Sequence, residues 1–484
     1  MTSTFTTEAP ARKPQSLRAA WPALLALCLT MLVEMVDNSI LNIALPTIGR
    51  DLGASPTDLQ WIVGAYSLTF GGLLMVGGTM GDKLGRRRTL LVGLALFGLA
   101  GLSVLLVTTP AQLIIVRALS GAFAAFIAPL TMSLIFRLFD LDELRTKAIG
   151  IIMVVSMIGF ALGPTLAGIA IASWPWQALL VLNAPVAAIA WLGVRFGIGK
   201  DDHADRRAGG ADVPGAVLSV ASLGFLLYGF TAGVENGWTA SQTIAVFTAG
   251  VLSLFGFIWR ERAATDPMLD LKLLALPTVS GSAILQTATM IAMVGVMFVS
   301  TQLYQFAWGW TALQAGLANL PFVIGMLAAS PFVDRAVARF GHRAASVGGV
   351  GLVLISLVIW IFALSHGFIW CAVGMFVMTF GMRTVMTTGA VALIGALPES
   401  HTSIGSALND TAQELGNAVG VAIVGTIMAG VIGGTLPQGM WNSEMVAGFI
   451  HSQQISFTVL AGIVLVLGFI GVRTLTNSKE TEEH

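Results

Sequence analysis

The sequence predicts an all-α polytopic membrane protein, and three observations carry that expectation. Of 484 residues, 56% are hydrophobic and only 10% are charged, whereas a soluble domain is about 25% charged. The mean hydropathy is +0.84. The apolar residues form continuous runs of roughly 20 residues, the length a helix needs to cross a bilayer, rather than the short alternating segments of a β-barrel. A formal net charge of zero gives no reason to expect nucleic acid as a partner.

Fourteen spans are expected, at 22–47, 59–80, 89–107, 112–136, 147–172, 177–197, 215–233, 242–259, 277–302, 312–332, 344–364, 368–395, 403–432 and 450–473. Lys and Arg in the connecting segments set their orientation. With the N-terminus in the cytoplasm, 22 of the 25 basic residues fall on the cytoplasmic side and only Arg50 on the other. Arg117 and Arg383 lie inside spans. An even number of spans and cytoplasmic termini follow. Trp21, Trp61, Trp174, Trp176, Trp238, Trp259, Trp308, Trp310 and Trp370 sit near span ends, as an interfacial belt requires. The run after the polar first twenty residues is too long for a signal-peptide core, so an uncleaved first span is expected. Cys28 and Cys371 lie within apolar runs and are expected as reduced, packed thiols.

The segment Gly78–Leu90, GTMGDKLGRRRTL, concentrates Asp82, Lys83, Arg86, Arg87 and Arg88 between two spans. It is either a topogenic loop or part of a conformational gate. Gly78, Gly81 and Gly85 leave its backbone free to turn tightly. A faint copy recurs 256 residues later, where Arg339-Phe340-Gly341-His342-Arg343 follows the tenth span. The copy has Ala338 in place of Asp82, with Asp334 one turn earlier. The repeat divides the chain into an N-tail (1–21), a six-helix bundle (22–197), a linker carrying two extra helices (198–276), a second six-helix bundle (277–473) and a C-tail (474–484). Duplicated six-span halves are a transporter architecture.

A charge inside a bilayer costs roughly 2.5–3.5 kcal/mol, so each one marks a candidate site. Glu34 and Asp37 share a face of the first span, with Asn38 and Asn42 close to it. Asp410 and Glu414 lie one turn apart in the thirteenth, flanked by Asn409, Gln413 and Asn417. Each acid is either a structural ion-pair member or a functional group lining a cavity. Arg117 and Arg383 are the expected partners. A carboxyl group in low dielectric favours its neutral form, because desolvation penalises the charge. A nearby Arg or bound cation reverses the balance and releases the proton, which is the minimal physics of proton-coupled exchange. In the fifth span, Gly159 and Gly163 have small-xxx-small spacing, and Pro164 removes a backbone donor. Met290, Met293 and Met297 recur at helical spacing, as core packing or as an adaptable cavity lining. No phosphate loop, metal-spaced histidine pair or catalytic constellation is present, so neither an enzyme nor a cofactor is expected.

These motifs resemble the major facilitator superfamily and its 14-span drug:proton antiporter subfamily. The resemblance rests on GTMGDKLGRRRTLL, on DNSILNIALP from Asp37 to Pro46, on Gln60-Trp61 and Tyr66, and on Arg117 with Gly121 and Pro129. It extends to Gly159-xxx-Gly163-Pro164, to Trp174, Trp176, Asn183 and Pro185, and to GSALNDTAQELGNAVG from Gly405 to Gly420. It implies the major facilitator fold in a multi-pass cytoplasmic-membrane protein. Asp82, Arg86 and Arg87 would form a cytoplasmic gate. Arg117 would take part in proton coupling, and Gly163 and Pro164 would favour exchange over symport. Asp37, Asp410 and Glu414 would be protonation and cation sites. Glu34 and Arg383 match no family motif.

The expected function is proton-driven export of lipophilic, cationic drugs or dyes by a monomer, powered by the proton gradient. The alternatives are a dedicated exporter of one endogenous metabolite or antibiotic, and a non-transporting receptor or scaffold. Because Asp82 has no counterpart in the repeat, Asp82→Asn is expected to impair transport more than Asp334→Asn does. Equal losses in an efflux assay would refute a one-sided gate.

Overall fold

A computed structural model describes residues 16–139, 141–201, 212–264, 271–396, 402–432 and 441–475. Among them there is no strand. The helices are α1 (Trp21–Leu52), α2 (Pro56–Leu84), α3 (Arg86–Ser103), α4 (Pro110–Ala124), α5 (Ala128–Leu138), α6 (Asp142–Ile171), α7 (Gln177–Val181) and α8 (Asn183–Gly197). They continue with α9 (Val213–Asn236), α10 (Ser241–Ala263), α11 (Leu271–Leu274), α12 (Pro277–Gln302), α13 (Ala312–Leu317), α14 (Leu320–His366), α15 (Phe368–Gly395), α16 (Thr402–Ile432) and α17 (Ser443–Thr474). A π-helical turn, Leu303–Ala307, extends α12.

Local chemistry sets the ends. Ser55 and Asp58 form a capping box at the start of α2, with Pro56 in the first turn, and Thr109 and Gln112 repeat the arrangement at α4. Each satisfies backbone donors that a helix start leaves open. Gly53 closes α1 in the left-handed region at φ 63°. Gly85 alone joins α2 to α3. At φ 104° it bonds back to the Gly81 carbonyl and its own carbonyl accepts from Thr89.

Twelve segments among the described residues are long and apolar enough to cross a membrane, where fourteen spans were expected. The expected spans at 312–332 and 344–364 lie on one 55-residue segment, Ala312–His366. Its backbone departs from helical geometry at Gly341, φ 79° and ψ 169°. The expected span at 147–172 falls on α6, outside the twelve. Two expected single helices are broken. Pro129 lacks the N–H that would continue α4, so the chain turns at Ala125–Ile127 and restarts as α5. The stretch 177–197 breaks at Leu182, ahead of Pro185. Gly85 and Gly341, equivalent positions of the sequence repeat, both adopt positive φ. Cys28 and Cys371 are buried, unbridged thiols, as expected.

Packing is tightest between α1 and α6, α2 and α16, α2 and α4, α12 and α16, α12 and α17, α9 and α10, and α14 and α15. One buried apolar cluster joins Ile40–Ile48, Leu59–Val63 and Trp176–Leu180 to residues of α12, α14, α15, α16 and α17. A second cluster of buried residues is confined to the stretch between Ala20 and Ile198, with Leu27, Phe97 and Leu134 among its most deeply buried members. The shared cluster lies toward the ends of α1 and α2 far from the basic loops. There, glycines bring backbones together. A Cβ on Gly168 would lie 2.5 Å from the Ala312 carbonyl oxygen, and one on Gly316 would lie 2.5 Å from that of Pro164. Gln305 donates to the Ile43 carbonyl at 2.9 Å across the same seam.

A side chain at Gly85 would meet positive-φ strain and the Asp201 carboxylate. Gly85→Val is therefore expected to destabilise the protein by about 1–3 kcal/mol, read as a lower thermal midpoint in detergent. Gly199→Ala, where nothing lies within 4 Å, is the control that leaves the midpoint in place.

Candidate functional site

The site begins with the approach of α4 to α2. Gly121 permits it, since a Cβ there would meet the Tyr66 carbonyl and the Thr69 hydroxyl. Thr69 Oγ1 donates to the Ala118 carbonyl at 2.7 Å and fixes the pair. Arg117 is thereby laid against α2. Its Nε donates to the Ile62 carbonyl at 3.4 Å, and its guanidinium carbon lies 4.5 Å from the Tyr66 ring centroid.

The same guanidinium reaches α1, where Nη1 donates to Asp37 Oδ2 at 2.6 Å. Asn183, the first residue of α8, donates through Nδ2 to Asp37 Oδ1. Both oxygens of Asp37 are thus occupied by donors. Asp37 is 1% exposed and Arg117 2%, so the pair is dry. Such a pair holds only when further hydrogen bonds support it; Asn183 and the Ile62 carbonyl supply them, and the Tyr66 ring packs on the guanidinium.

The other acids are arranged differently. Glu34, 3% exposed, has no hydrogen-bond partner at Oε2. Its charged neighbours are Glu414, Asp410 and Asp37. Glu414, 8% exposed, accepts from Asn417 Nδ2 at 3.0 Å through Oε1 and has no partner at Oε2. Gly71 lets it approach α2, because a Cβ there would lie 2.8 Å from Glu414 Cβ. Asp410, one turn toward the basic-loop end, is exposed and accepts from Asn409 at 3.2 Å. Tyr66 borders Glu34, Asp37, Arg117 and Glu414, and its hydroxyl is buried without a partner. Acids from α1 and α16 therefore lie within electrostatic reach of one another, and among the described residues none of these three forms an ion pair.

The two expected basic partners separate. Arg117 pairs with Asp37, whereas Arg383 is half-buried on α15 and forms no ion pair among the described residues. Asn42 has a buried, unpartnered Oδ1, and the Asn38 side chain lies outside the described residues. Met290, Met293 and Met297 belong to or pack on the large apolar cluster, in favour of core packing.

At the basic end, Asp82 Oδ1 pairs with Arg86 Nε at 2.9 Å within one helical turn. The gate segment is anchored by Asp201, which the sequence reading missed. Its oxygens accept the backbone N–H groups of Arg87 and Arg88 at 3.1 and 3.0 Å, and Arg137 Nη1 pairs with it at 2.7 Å. A carboxylate at the first turn of α3 satisfies open donors and complements the helix dipole. It arrives from 114 residues away, so no local capping pattern announced it. Arg87 adds bonds to the carbonyls of Val194 and Arg195. Gly78 sits beside Pro129, where a Cβ would be 3.8 Å from the proline ring. In α6, a Cβ on Gly159 would be 2.7 Å from Leu32 Cδ1, and one on Gly163 would strike Ser39. That face packs on α1 while Pro164 meets Gly316 of α13.

With this geometry established, comparison with known proteins gives a family and relatives. The model of the Major Facilitator Superfamily matches residues 27–420. The multidrug resistance protein Stp of Mycobacterium tuberculosis (strain CDC 1551 / Oshkosh) is 29% identical over 415 residues, 85% of this chain and 76% of that protein. The puromycin resistance protein pur8 of Streptomyces alboniger is 32% identical over 462 residues, 92% of this chain and 89% of that protein. Among solved structures, a D-xylose–proton symporter aligns with a TM-score of 0.66 at 13% identity, covering 95% of this chain and 98% of that one. At that identity the likeness speaks to the fold alone.

Removing one member of the Asp37–Arg117 pair leaves a buried, uncompensated charge. Arg117→Met is expected to cost about 3–5 kcal/mol, with most of the loss recovered in Asp37→Asn/Arg117→Met. Thermal unfolding of the purified variants in detergent checks this. A double variant as unstable as the single one would mean that Arg117 acts through packing on Tyr66 instead.

Proposed function

The chain belongs to the Major Facilitator Superfamily, and we propose that it is a proton-coupled antiporter exporting lipophilic, cationic drugs or dyes across the cytoplasmic membrane by alternating access. The membrane-spanning architecture and a small-molecule substrate follow from the family. The cationic cargo and its exchange for protons are our reading.

One observation carries it: Glu34 and Glu414 are buried, each with an unpartnered oxygen, and, with Asp410 nearby, have no basic side chain paired to them among the described residues, while Arg117 is already engaged by Asp37. A buried acid group lacking a counter-ion is completed by protons or by a cation. The two compete for the same oxygens, and that competition is the coupling. Protons entering from outside neutralise the acids. A lipophilic cation arriving from the cytoplasmic side displaces them, and its apolar body suits a cavity walled by membrane helices. Asp37, Glu34, Asp410 and Glu414 are the proton and cation groups, Arg117 the coupled base, and Arg383 is assigned to the same pathway by its place inside a span.

In this reading residues 22–197 and 277–473 form two six-helix bundles that rock about the site, and α9 and α10 lie between them in sequence. Counting α14 as two crossings at Gly341 and adding α6 gives fourteen, with both termini cytoplasmic. The working unit is a monomer in the bilayer. The cytoplasmic gate comprises Gly78, Asp82, Gly85, Arg86 and Arg87. Gly159, Gly163 and Pro164 close α6 against its neighbours. The second reading, a dedicated exporter of a single compound, is favoured by the likeness to a relative named for puromycin resistance.

The test is efflux of a monovalent lipophilic cation from proteoliposomes under an imposed pH gradient. Wild type is expected to couple efflux to the gradient, and Asp37→Asn, Asp410→Asn and Glu414→Gln to lose most of that coupling. If all three variants remain coupled, the site assignment fails. If wild type moves no cation while a single metabolite is exported, the dedicated reading replaces this one.

A further inference from the structure

The helices α9 and α10 have no place in the mechanism so far, yet α9 is not peripheral. It lies along the seam between α2 and α16. Gly72 meets Val220, Gly224 meets Leu68, and Trp61 and Tyr228 have ring centroids 6.2 Å apart. On the other side Leu227 packs on Ala418 and Ala422. At the end far from the basic loops, three buried polar side chains close a ring. Gln60 Nε2 donates to Thr231 Oγ1 at 3.1 Å, the hydroxyls of Thr231 and Thr426 are 3.2 Å apart, and Thr426 Oγ1 donates to Gln60 Oε1 at 3.3 Å. Thr231 Oγ1 also lies 3.3 Å from the Leu227 carbonyl of its own helix; with its proton turned to Thr426 instead, each bond in the ring has one donor and one acceptor. Thr231 is 0% exposed, Gln60 2% and Thr426 7%. Gly425 keeps the helices close, since a Cβ there would lie 2.5 Å from Gln60 Oε1.

We propose that α9 is a working part of the outer gate, with Thr231 as a positioning residue that holds α2 and α16 together while the transporter is closed to the outside. Gln60 and Thr426 stand on opposite sides of the seam and must part when the outer end opens. Thr231 is bonded to both, so it cannot keep both bonds. Thr231 can then turn its proton to the Leu227 carbonyl of its own helix, 3.3 Å away, but in hydrocarbon Gln60 and Thr426 each lose a partner, and water replaces the ring only once the vestibule has opened. The ring therefore weights the empty transporter toward its outwardly closed state.

Ala422, 6% exposed beneath Leu227, offers a reporter. In Ala422→Cys, labelling by a membrane-impermeant maleimide from outside reads seam opening, and buried Cys28 and Cys371 give the background. Adding Thr231→Val is expected to raise the labelling rate about three- to tenfold, the range that one or two interhelical hydrogen bonds supply in a bilayer. Thr231→Ser should restore the parent rate. Thr243→Val, which alters a buried α10 hydroxyl bonded to the Gly237 carbonyl, should leave it unchanged. Faster labelling in Thr243→Val, or no rescue by serine, would overturn the assignment to the hydroxyl ring. The inference rests on the alternating-access reading, and the failures are distinguishable. If the reporter stays unlabelled in every variant, with or without a transported cation, alternating access falls. If Gln60→Leu speeds labelling and Thr231→Val does not, the gate stands and the role of α9 falls.

Discussion

Hydrocarbon offers no water to a buried charge, so the chain must supply every partner itself. Asp37 makes the greatest demand, and much of the surrounding packing follows from meeting it. Its two oxygens need donors, which come from α4 as Arg117 and from α8 as Asn183. Bringing Arg117 within reach requires α4 to sit on α2, which Gly121 permits. Holding α1 in place requires α6 to approach it, which Gly159 and Gly163 permit. The small residues and the dry ion pair are two aspects of one arrangement.

The acids differ in how their oxygens are satisfied. Both carboxylate oxygens of Asp37 accept hydrogen bonds. Glu34 and Glu414 each keep an unpartnered oxygen in a buried position. Such groups are costly unless neutralised or joined by a ligand, and natural chains retain cost of that kind where function needs it. Glu34 and Asp37 lie one turn apart on α1, and Asp37 is among the charges that act on Glu34.

The all-α membrane fold was legible in composition and run length, and the pairing of Arg117 with an intramembrane acid followed from the cost of leaving either alone. The repeat of the charged loop was legible too, and its two glycines share positive φ. What escaped had long-range causes. Asp201 caps a helix 114 residues distant, and no spacing rule spans that interval. Asn183 resembled a motif residue, but nothing local said that its amide would face Asp37. The breaks near Pro129 and Pro185 show the opposite limit, where a hydropathy run hides a missing backbone donor. Arg383 was expected beside an acid and has no ion pair among the described residues, because inclusion in a span does not specify which face is presented.

The joints at Gly85 and Gly341 have a mechanical consequence. A loop of several residues absorbs the motion of one helix before the next responds. A one-residue joint has almost no slack. Where α2 passes into α3 through Gly85 alone, a tilt of one must be transmitted to the other, and Asp201 fastens that corner to the segment just beyond α8. The Gly85 corner is therefore built as a lever arm. Because Gly71 sets α2 against Glu414, a tilt of α2 at that contact would reach the charged rim with little slack to absorb it.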